Sequence, residues 1–197
     1  DDLLEMAVEM LSEGTSHPAI FNDSAITQGL LKLGIPERDA HNYVHSSCVE
    51  ITLCGQSACW VFNPTINMME LFLKVMGDNP ECGCTRDLAK AYEEKLRETV
   101  ASEVCNQRMW QLERSRNGGD SLLPSCLVSD CLRSGRSIDE GGANYNFIMP
   151  TFLGIANVVD SMVATEILVF DEKKLTMAEL YQVCLDDFQG NEDLRKR

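Results

Sequence analysis

The stretch "HNYVHSSCVEITLCGQ", residues 41–56, places a thiol and a carboxylate two residues apart in a run of apolar and hydroxylated side chains. Side chains alternate between the two faces of an extended segment, so Cys48 and Glu50 are expected to face one side together. Val49 and Ile51 then face the other side. The sequence therefore raises the question of which chemistry would need a thiol and a carboxylate on one face.

Three interpretations of this pair stay open at the level of the residues alone. Free cysteine is among the most buried residue types, so Cys48 also fits a core position beside a solvated Glu50. His41 and His45 are near in sequence, which brings in a Cys-His hydrolase with a thiolate nucleophile. A neighbouring carboxylate disfavours a thiolate by like-charge repulsion. The pair therefore suits a neutral thiol better, with hydrogen-atom chemistry at sulfur and proton transfer at the carboxylate.

Composition limits the class of protein and its partners. A chain of 197 residues that is 44% hydrophobic is long enough to bury a core, as one domain or as a piece of a larger one. The net charge of −14 repels phosphate backbones and anionic membrane surfaces, so we expect neither nucleic acid nor a membrane as partner. The chain begins without a methionine inside a helical pattern and ends on a charged run, so we read it as an excerpt.

The cysteine pattern indicates the compartment. Nine cysteines at irregular spacing do not fit a disulfide framework, and reduced thiols in a reducing compartment are expected. No apolar run approaches the roughly 18 residues that span a bilayer. The first residues are acidic and amphipathic, unlike a basic secretory leader. These features predict a cytoplasmic protein.

Short apolar segments alternate with helical periodicity along the chain, which is typical of α/β architecture with parallel pairing. Two strands are predicted, HPAIFND (17–23) and ANYNFIM (143–149). Helices are predicted at about 2–12, after a cap at Asp23 or Ser24, at PERDAHNY (36–43), 66–76, 85–114, 126–134, 155–168 and from Thr176 onward. Thr176 and Glu179 fit a capping box, in which each side chain satisfies a backbone N–H of the first turn.

Other motifs predict no cofactor or metal site. Gly141 and Gly142 mark a tight turn or a close backbone approach, and neither GxxxxGK[ST] nor GxGxxG occurs. The segment "ECGC", residues 81–84, has C-x-C spacing without a second Cys or His pair at a zinc-ligand interval. Cys126 and Cys131 are expected to pack near one short helix. We therefore expect no metal and no directly bound cofactor.

Three segments resemble a known family. "NYVHSSCVEI" resembles the cysteine loop of the glycyl radical enzymes, in the pyruvate formate-lyase-like and glycerol dehydratase-like branch whose cysteine is followed by Val-Glu. Residues 17–50 resemble the family's approach to this loop. Residues 141–190, with the GGA-x-YNF strand and the G-x-AN-x-x-DS helix start, resemble its later barrel segment. The three motifs occur in the order expected for the family, and the resemblance extends over nearly the entire chain.

The resemblance implies a radical mechanism. Cys48 would pass a hydrogen atom to a glycyl radical and then take one from a small-molecule substrate. Glu50 would act as general acid or base while a neighbouring group leaves. The glycyl radical would reside on a residue outside this chain, installed by an activating enzyme that carries an iron–sulfur cluster and uses S-adenosylmethionine.

The resemblance also implies a fold and an assembly. The fold would be a portion of a ten-stranded α/β barrel built from two half-barrels, with the cysteine loop inside. Residues 1–197 would form the central to C-terminal part of that barrel, without its N-terminal part and without the glycyl radical domain. A chain lacking both would be inactive alone, and the full-length enzyme is expected to be a homodimer.

Departures from the family restrict the activity. Formate acetyltransferases carry two consecutive cysteines, whereas Ser47 precedes Cys48 here. Glycerol-type dehydratases carry an acidic residue that binds the diol shortly after the conserved Trp of this region, whereas Trp60 is followed here by Val61, Phe62 and Asn63, which disfavours a simple 1,2-diol substrate. No R-V-x-G-[YF] motif occurs in the chain.

We therefore expect dehydration or another C–X bond cleavage on a small polar metabolite. Asn63, Tyr145 and Asn146 are candidate substrate contacts, although the last two also fit a supporting role. The alternatives are a radical C–C lyase, such as a decarboxylase or a formate acetyltransferase-like enzyme, and a non-catalytic remnant of the fold.

Overall fold

The computed structural model describes residues 2–15, 17–46, 50–58 and 63–196. Its strands are β1 Tyr43–Ser46, β2 Glu50–Leu53, β3 Ser57–Ala58, β4 Thr65–Asn67, β5 Tyr145–Asn146 and β6 Thr151–Leu153. Its helices are α1 Asp2–Ser12, α2 Asp23–Lys32, α3 Glu37–Ala40, α4 Met68–Asp78, α5 Thr85–Arg116, α6 Leu122–Leu127, α7 Cys131–Ser134, α8 Ile155–Thr165, α9 Met177–Leu185 and α10 Glu192–Arg195. A π-helical turn, Glu166–Asp171, continues α8.

The strands pair in two ways. β3 pairs with β5 and β4 pairs with β6, both parallel, with more than eighty residues between the partners in sequence. β1 and β2 form an antiparallel hairpin in which Tyr43 lies opposite Leu53 and Ser46 lies opposite Glu50. The predicted α/β class with parallel pairing is therefore confirmed, and an antiparallel hairpin is added to it.

A helical layer contains the largest apolar core of the described residues. The amphipathic face of α4 packs against α5, α8 and α9. Phe72, Leu88 and Met177 are each at most 1% exposed at the centre of this layer. The Tyr92 ring meets the Phe72 ring edge-on, with centroids 5.8 Å apart, and its hydroxyl donates to the Met68 carbonyl at 3.2 Å. Burial of these large side chains supplies the main apolar stabilisation of the fold.

Several predicted helices are confirmed within a residue or two. α1 matches its predicted range, and α5 covers the predicted 85–114 with two more residues. The capping box at the start of α9 is present, since the Thr176 hydroxyl accepts from the Glu179 N–H and the Glu179 carboxylate accepts from the Thr176 N–H. Backbone hydrogen bonding from Thr176 lowers the pKa of Glu179, because it stabilises the ionised form.

The predicted strand at 17–23 is wrong, and so is the predicted cap that follows it. Residues 17–22 belong to no strand. Asn22 caps α2, because its backbone is extended there and its side-chain oxygen accepts from the Ala25 N–H at 3.0 Å. Phe21 turns toward the hairpin, where its ring lies 3.7 Å from the His45 ring.

Two further boundaries differ where an apolar run hides a change of structure. Residues 65–67 form β4, and α4 begins only at Met68, because the Asn67 side chain caps it by accepting from the N–H groups of Met69 and Glu70. The predicted strand 143–149 shrinks to the pair Tyr145–Asn146, and β6 was not predicted. Pro150, which has no N–H to donate, lies between these two strands.

The predicted helix at 126–134 is two helices, and part of the predicted loop before it is helical. α6 begins at Leu122 and ends at Leu127, where Val128 turns to extended backbone. α7 begins at Cys131, after Asp130 in the left-handed conformation with φ of 77°. Cys131 is buried, but Cys126 is exposed. The expectation that both cysteines pack near one helix is therefore wrong for Cys126.

The hairpin rests on a smaller apolar cluster formed by Leu30, Ile35, Ala40 and Leu53. This cluster joins α2, α3 and the last residue of β2. Within the described ranges, no helix is both long and apolar enough to cross a membrane.

Candidate active site

The cysteine at the centre of the sequence prediction lies outside the described residues. Residues 47–49, with Cys48 among them, connect β1 to β2 in sequence. Glu50, the predicted proton carrier, is the first residue of β2 and is half-buried. The pairing of Glu50 with Ser46 in the hairpin therefore gives the position of Glu50. The role of Cys48 stays a prediction.

Glu50 lines a cavity of about 490 Å³. The walls come from α2, β2 and the segment that leads through β6 into α8, and they consist of Leu30, Leu33, Ile51, Phe147, Ile148, Met149, Pro150, Thr151, Phe152 and Ile155. Glu50 is the one ionisable side chain among these described lining residues. A single carboxylate in an otherwise apolar concave wall is a typical arrangement for a small-molecule site.

The end of β2 farthest from Glu50 is held by a serine. The Ser57 hydroxyl accepts from the Leu53 N–H at 3.0 Å and donates to the Leu53 carbonyl at 3.2 Å. Ser57 belongs to β3 and lies opposite Tyr145 in the parallel pair with β5. The foot of the hairpin is therefore attached to the parallel sheet.

Tyr145, a predicted substrate contact, directs its hydroxyl to a buried carboxylate. The hydroxyl donates to Asp39 Oδ2 at 2.7 Å, and the Gln56 side-chain amide donates to Asp39 Oδ1 at 3.2 Å. Asp39 is only 5% exposed. The Tyr145 and Gln56 hydrogen bonds lower the pKa of Asp39, and the bond to Asp39 together with burial raises the pKa of Tyr145.

The side chains of the other two predicted contacts form hydrogen bonds with the backbone. The Asn63 side-chain oxygen accepts from the Met149 N–H at 3.4 Å, so it lies beside the cavity wall. The Asn146 amide donates to the Ala143 carbonyl at 2.9 Å and to the Gly141 carbonyl at 3.3 Å, which closes the turn before β5. Substrate contact by any of the three candidates stays a prediction.

Sequence reasoning missed Asp39 and Gln56. Asp39 lies in a charged helical segment where a solvated carboxylate is the ordinary expectation, and its partner Tyr145 is 106 residues away. No local pattern links such residues. The histidines weighed for a Cys-His pair lie elsewhere: His45 contacts Phe21 and Tyr43, and His41 ends α3.

The remaining cysteines form no metal centre among the residues that the structure covers. The Cys82 thiol donates to the Cys84 carbonyl at 3.3 Å. No group of three or more His, Cys, Asp or Glu side chains converges on a point within the described ranges.

Comparison with known proteins places this geometry in a context. The family model described as pyruvate formate lyase-like matches residues 1–197. The chain is 31% identical to the (2S)-3-sulfopropanediol dehydratase of Klebsiella oxytoca, over 95% of this chain and 24% of that protein. It is 27% identical to the trans-4-hydroxy-L-proline dehydratase of Clostridioides difficile, over 96% of this chain and 26% of that protein.

Solved structures agree with the family match. The glycerol-bound B12-independent glycerol dehydratase from Clostridium butyricum superposes with a TM-score of 0.78 at 28% identity, over 98% of this chain and 26% of that one. A glycyl radical enzyme from Archaeoglobus fulgidus gives a TM-score of 0.71 at 26% identity, over 88% and 24%. The predicted fold, part of the family's α/β barrel, is confirmed. The chain spans about a quarter of the length of the curated relatives that it matches.

Proposed function

The chain belongs to the pyruvate formate lyase-like family of glycyl radical enzymes, and on that premise we propose that the full-length enzyme performs thiyl-radical elimination on a small polar metabolite. The reaction is a dehydration or another C–X bond cleavage, as in the dehydratases that resemble the chain. One observation carries the proposal: Glu50 lines an apolar cavity from the strand that follows Cys48 in sequence.

The steps use two side chains of this chain. The glycyl radical supplies the oxidising equivalent by taking the hydrogen atom from the Cys48 thiol. Cys48 then takes a hydrogen atom from a substrate carbon, and Glu50 transfers a proton while the neighbouring group departs with the electron pair of its bond. Cys48 returns the hydrogen atom to the product radical, and the thiyl that this leaves takes its hydrogen atom back from the glycine, so the cycle is redox-neutral. The walls around Glu50 are apolar, and once other parts of the full-length enzyme cover them they would keep water away and so limit side reactions of radicals.

The proposal extends to the parts of the enzyme beyond these residues. Residues 1–197 form the central to C-terminal part of the barrel, and other parts of the full-length protein supply the N-terminal barrel portion and the glycyl radical domain. A radical S-adenosylmethionine enzyme activates the protein, and the active form is a cytoplasmic homodimer. The share of the relatives that the chain covers supports a longer active protein.

The test uses the full-length protein, activated anaerobically and screened against hydroxylated, aminated and sulfonated two- to five-carbon compounds. Cys48→Ser is expected to abolish turnover, since serine cannot carry the radical at accessible energy. Glu50→Gln is expected to reduce kcat by about 10²–10⁴-fold, because the amide cannot transfer the proton. Controls are Cys54→Ser and Glu37→Gln, which change an exposed thiol and an exposed carboxylate nearby.

The products decide between the alternatives. Release of water, amine or sulfite supports elimination. Release of carbon dioxide or formate supports a radical decarboxylase or C–C lyase in its place. Turnover that survives Cys48→Ser contradicts radical catalysis at this cysteine, and absence of turnover in the activated wild type across the screen favours the non-catalytic remnant.

A further inference from the structure

We propose that Tyr145, Asp39 and Gln56 form a positioning cluster that fixes the hairpin of β1 and β2, with Glu50 at the start of β2, against the cavity. The proposal rests on the proposed function, because it assigns these residues an effect on the reaction of that hairpin. None of the three is a catalytic residue. Each acts through the backbone segment to which it belongs.

The cluster is built around one buried carboxylate. Asp39 accepts from the Tyr145 hydroxyl at 2.7 Å through Oδ2 and from the Gln56 amide at 3.2 Å through Oδ1. Arg38 Nε lies 3.4 Å from Oδ1, on a side chain that is 84% exposed. The Gln56 side-chain oxygen in turn accepts from the Asn144 amide at 3.2 Å. A buried carboxylate with directional donors on both oxygens holds its neighbours in a narrow range of positions.

These hydrogen bonds hold the chain segment before β1 and the chain segment after β2. Asp39 lies in α3, four residues before β1 begins at Tyr43, and Gln56 lies three residues after β2 ends at Leu53. The Tyr145 N–H donates to the Gln56 carbonyl at 3.0 Å, so β5 holds the second end through its backbone as well. Tyr145 therefore joins two segments that flank the hairpin, from a position 106 residues away from Asp39.

The hairpin transmits any shift at its foot to its tip. Three residues separate Leu53 from Glu50, which corresponds to about 10 Å of extended strand. A rotation of β2 by about 6° at Leu53 moves its other end, at Glu50, by about 1 Å. Displacements of that size in a reacting group cost about 10²-fold in rate.

The same cluster also orients the cavity wall. The rings of Tyr145 and Phe147 stack with an interplanar angle of 14° and centroids 6.2 Å apart. Phe147 lines the cavity together with Glu50. The Tyr145 hydroxyl is engaged by Asp39, so the side chain sets the relation between the wall and the hairpin without needing to touch the substrate.

The test compares two tyrosine-to-phenylalanine variants of the full-length, anaerobically activated protein. Tyr145→Phe removes the hydroxyl and keeps the ring stack. Tyr92→Phe is the matched control, because it also removes a donating hydroxyl, which in the helical layer points to the carbonyl and the sulfur of Met68. The first readout is the rate at which the α-hydrogen of the glycyl radical exchanges with D₂O, followed by EPR. This exchange passes through the Cys48 thiol and requires no substrate.

We expect Tyr145→Phe to slow this exchange by about 10–100-fold and Tyr92→Phe to stay within about twofold of wild type, although both lower the melting temperature. Equal behaviour of the two variants overturns the proposal and leaves Tyr145 with a structural role only. Unchanged exchange with a raised KM for the substrate found in the screen also overturns it, since that result places Tyr145 against the substrate.

Gln56→Met tests the other arm of the cluster if Tyr145→Phe accumulates no radical. It keeps the length of the side chain and removes the donor to Asp39, and we expect exchange to slow by about 3–10-fold, since Tyr145 still holds the carboxylate. Wild-type exchange in Gln56→Met overturns the proposal in that case. Failure of the proposed function is a separate result: exchange then persists in Cys48→Ser, whatever Tyr145→Phe does.

Discussion

The helical layer and the hairpin region are stabilised by different interactions. In the layer of α4, α5, α8 and α9, large side chains such as Phe72 and Leu88 are buried against each other, and packing needs no particular donor. The hairpin region has a smaller apolar cluster and adds a buried carboxylate with donors on both oxygens. Apolar burial stabilises without direction, whereas hydrogen bonds to a carboxylate fix angles and distances. Of the two regions, the one that carries the proposed chemistry is the one in which directional bonds converge on a buried carboxylate.

The largest effect is expected in the helical layer. Phe72→Ala removes a ring that is 1% exposed and should lower the free energy of unfolding by about 3–5 kcal/mol, through lost burial and a residual cavity. Urea unfolding of the full-length protein measures the change. Leu132→Ala is the control, since Leu132 is 73% exposed and its truncation should cost no more than about 0.5 kcal/mol.

The same variant also sharpens the contrast between the two regions. Amide hydrogen exchange should accelerate in peptides from α4, α8 and α9 and stay unchanged in β1 and β2. The reason is that the helical layer can open locally while the hydrogen bonds at the hairpin stay intact. Equal acceleration in both regions would show that the hairpin depends on the helical core, and the contrast would then be wrong.

A second, smaller effect is expected in the turn that leads to β5. A Cβ atom at Gly142 would lie 2.1 Å from the Arg136 carbonyl oxygen, and backbone atoms cannot yield as a flexible side chain does. Gly142→Ala should therefore lower the free energy of unfolding by more than about 2 kcal/mol. Gly29→Ala is the matched control in α2, where the added methyl meets no atom within 4 Å and should stabilise by about 0.5–1 kcal/mol. Equal unfolding midpoints for both variants would contradict the close approach.

The smallest effect separates the regions by pH. The pKa of Asp39 is lowered in the folded protein, first by the Tyr145 hydroxyl and then by Gln56, so its ionised form contributes stability. That contribution is fully present above the ordinary pKa of 3.8 and is lost as the pH falls through the lowered value. Unfolding midpoints of wild type and Asp39→Asn should therefore differ at about pH 6 and converge toward about pH 3. A difference that does not change with pH would mean that the charge of Asp39 is not involved.

Sequence predicted those features that depend on neighbouring residues. The apolar period of α5 and the Thr176–Glu179 capping box are local, and both are present. The strand predicted from HPAIFND failed at its end because Asn22 caps the first turn of α2 and Asp23 already belongs to that helix. β4 was missed because Ile66 begins an apolar run that fits a strand and a helix equally well.

In the candidate site, too, the residues that are close in sequence could be predicted and those that are distant in sequence could not. The Cys48–Glu50 spacing is local and could be read directly from the sequence. The family resemblance suggested a chemistry for the pair; the family match confirms the family, and the roles of the two residues stay predictions. The Asp39–Tyr145 bond joins residues brought together only by the fold. No spacing rule predicts a partner at that distance, so the supporting residues of the hairpin required the structure.

The most direct measurement follows the glycyl radical of the activated full-length enzyme by EPR in H₂O and in D₂O, for wild type and Cys48→Ser. The α-hydrogen of the radical splits its signal into a doublet. If the Cys48 thiol exchanges hydrogen atoms with the radical, deuterium from the solvent replaces the α-hydrogen, and the doublet collapses in wild type and persists in Cys48→Ser. A doublet that collapses equally in both proteins would contradict the role of Cys48 as the hydrogen-atom carrier.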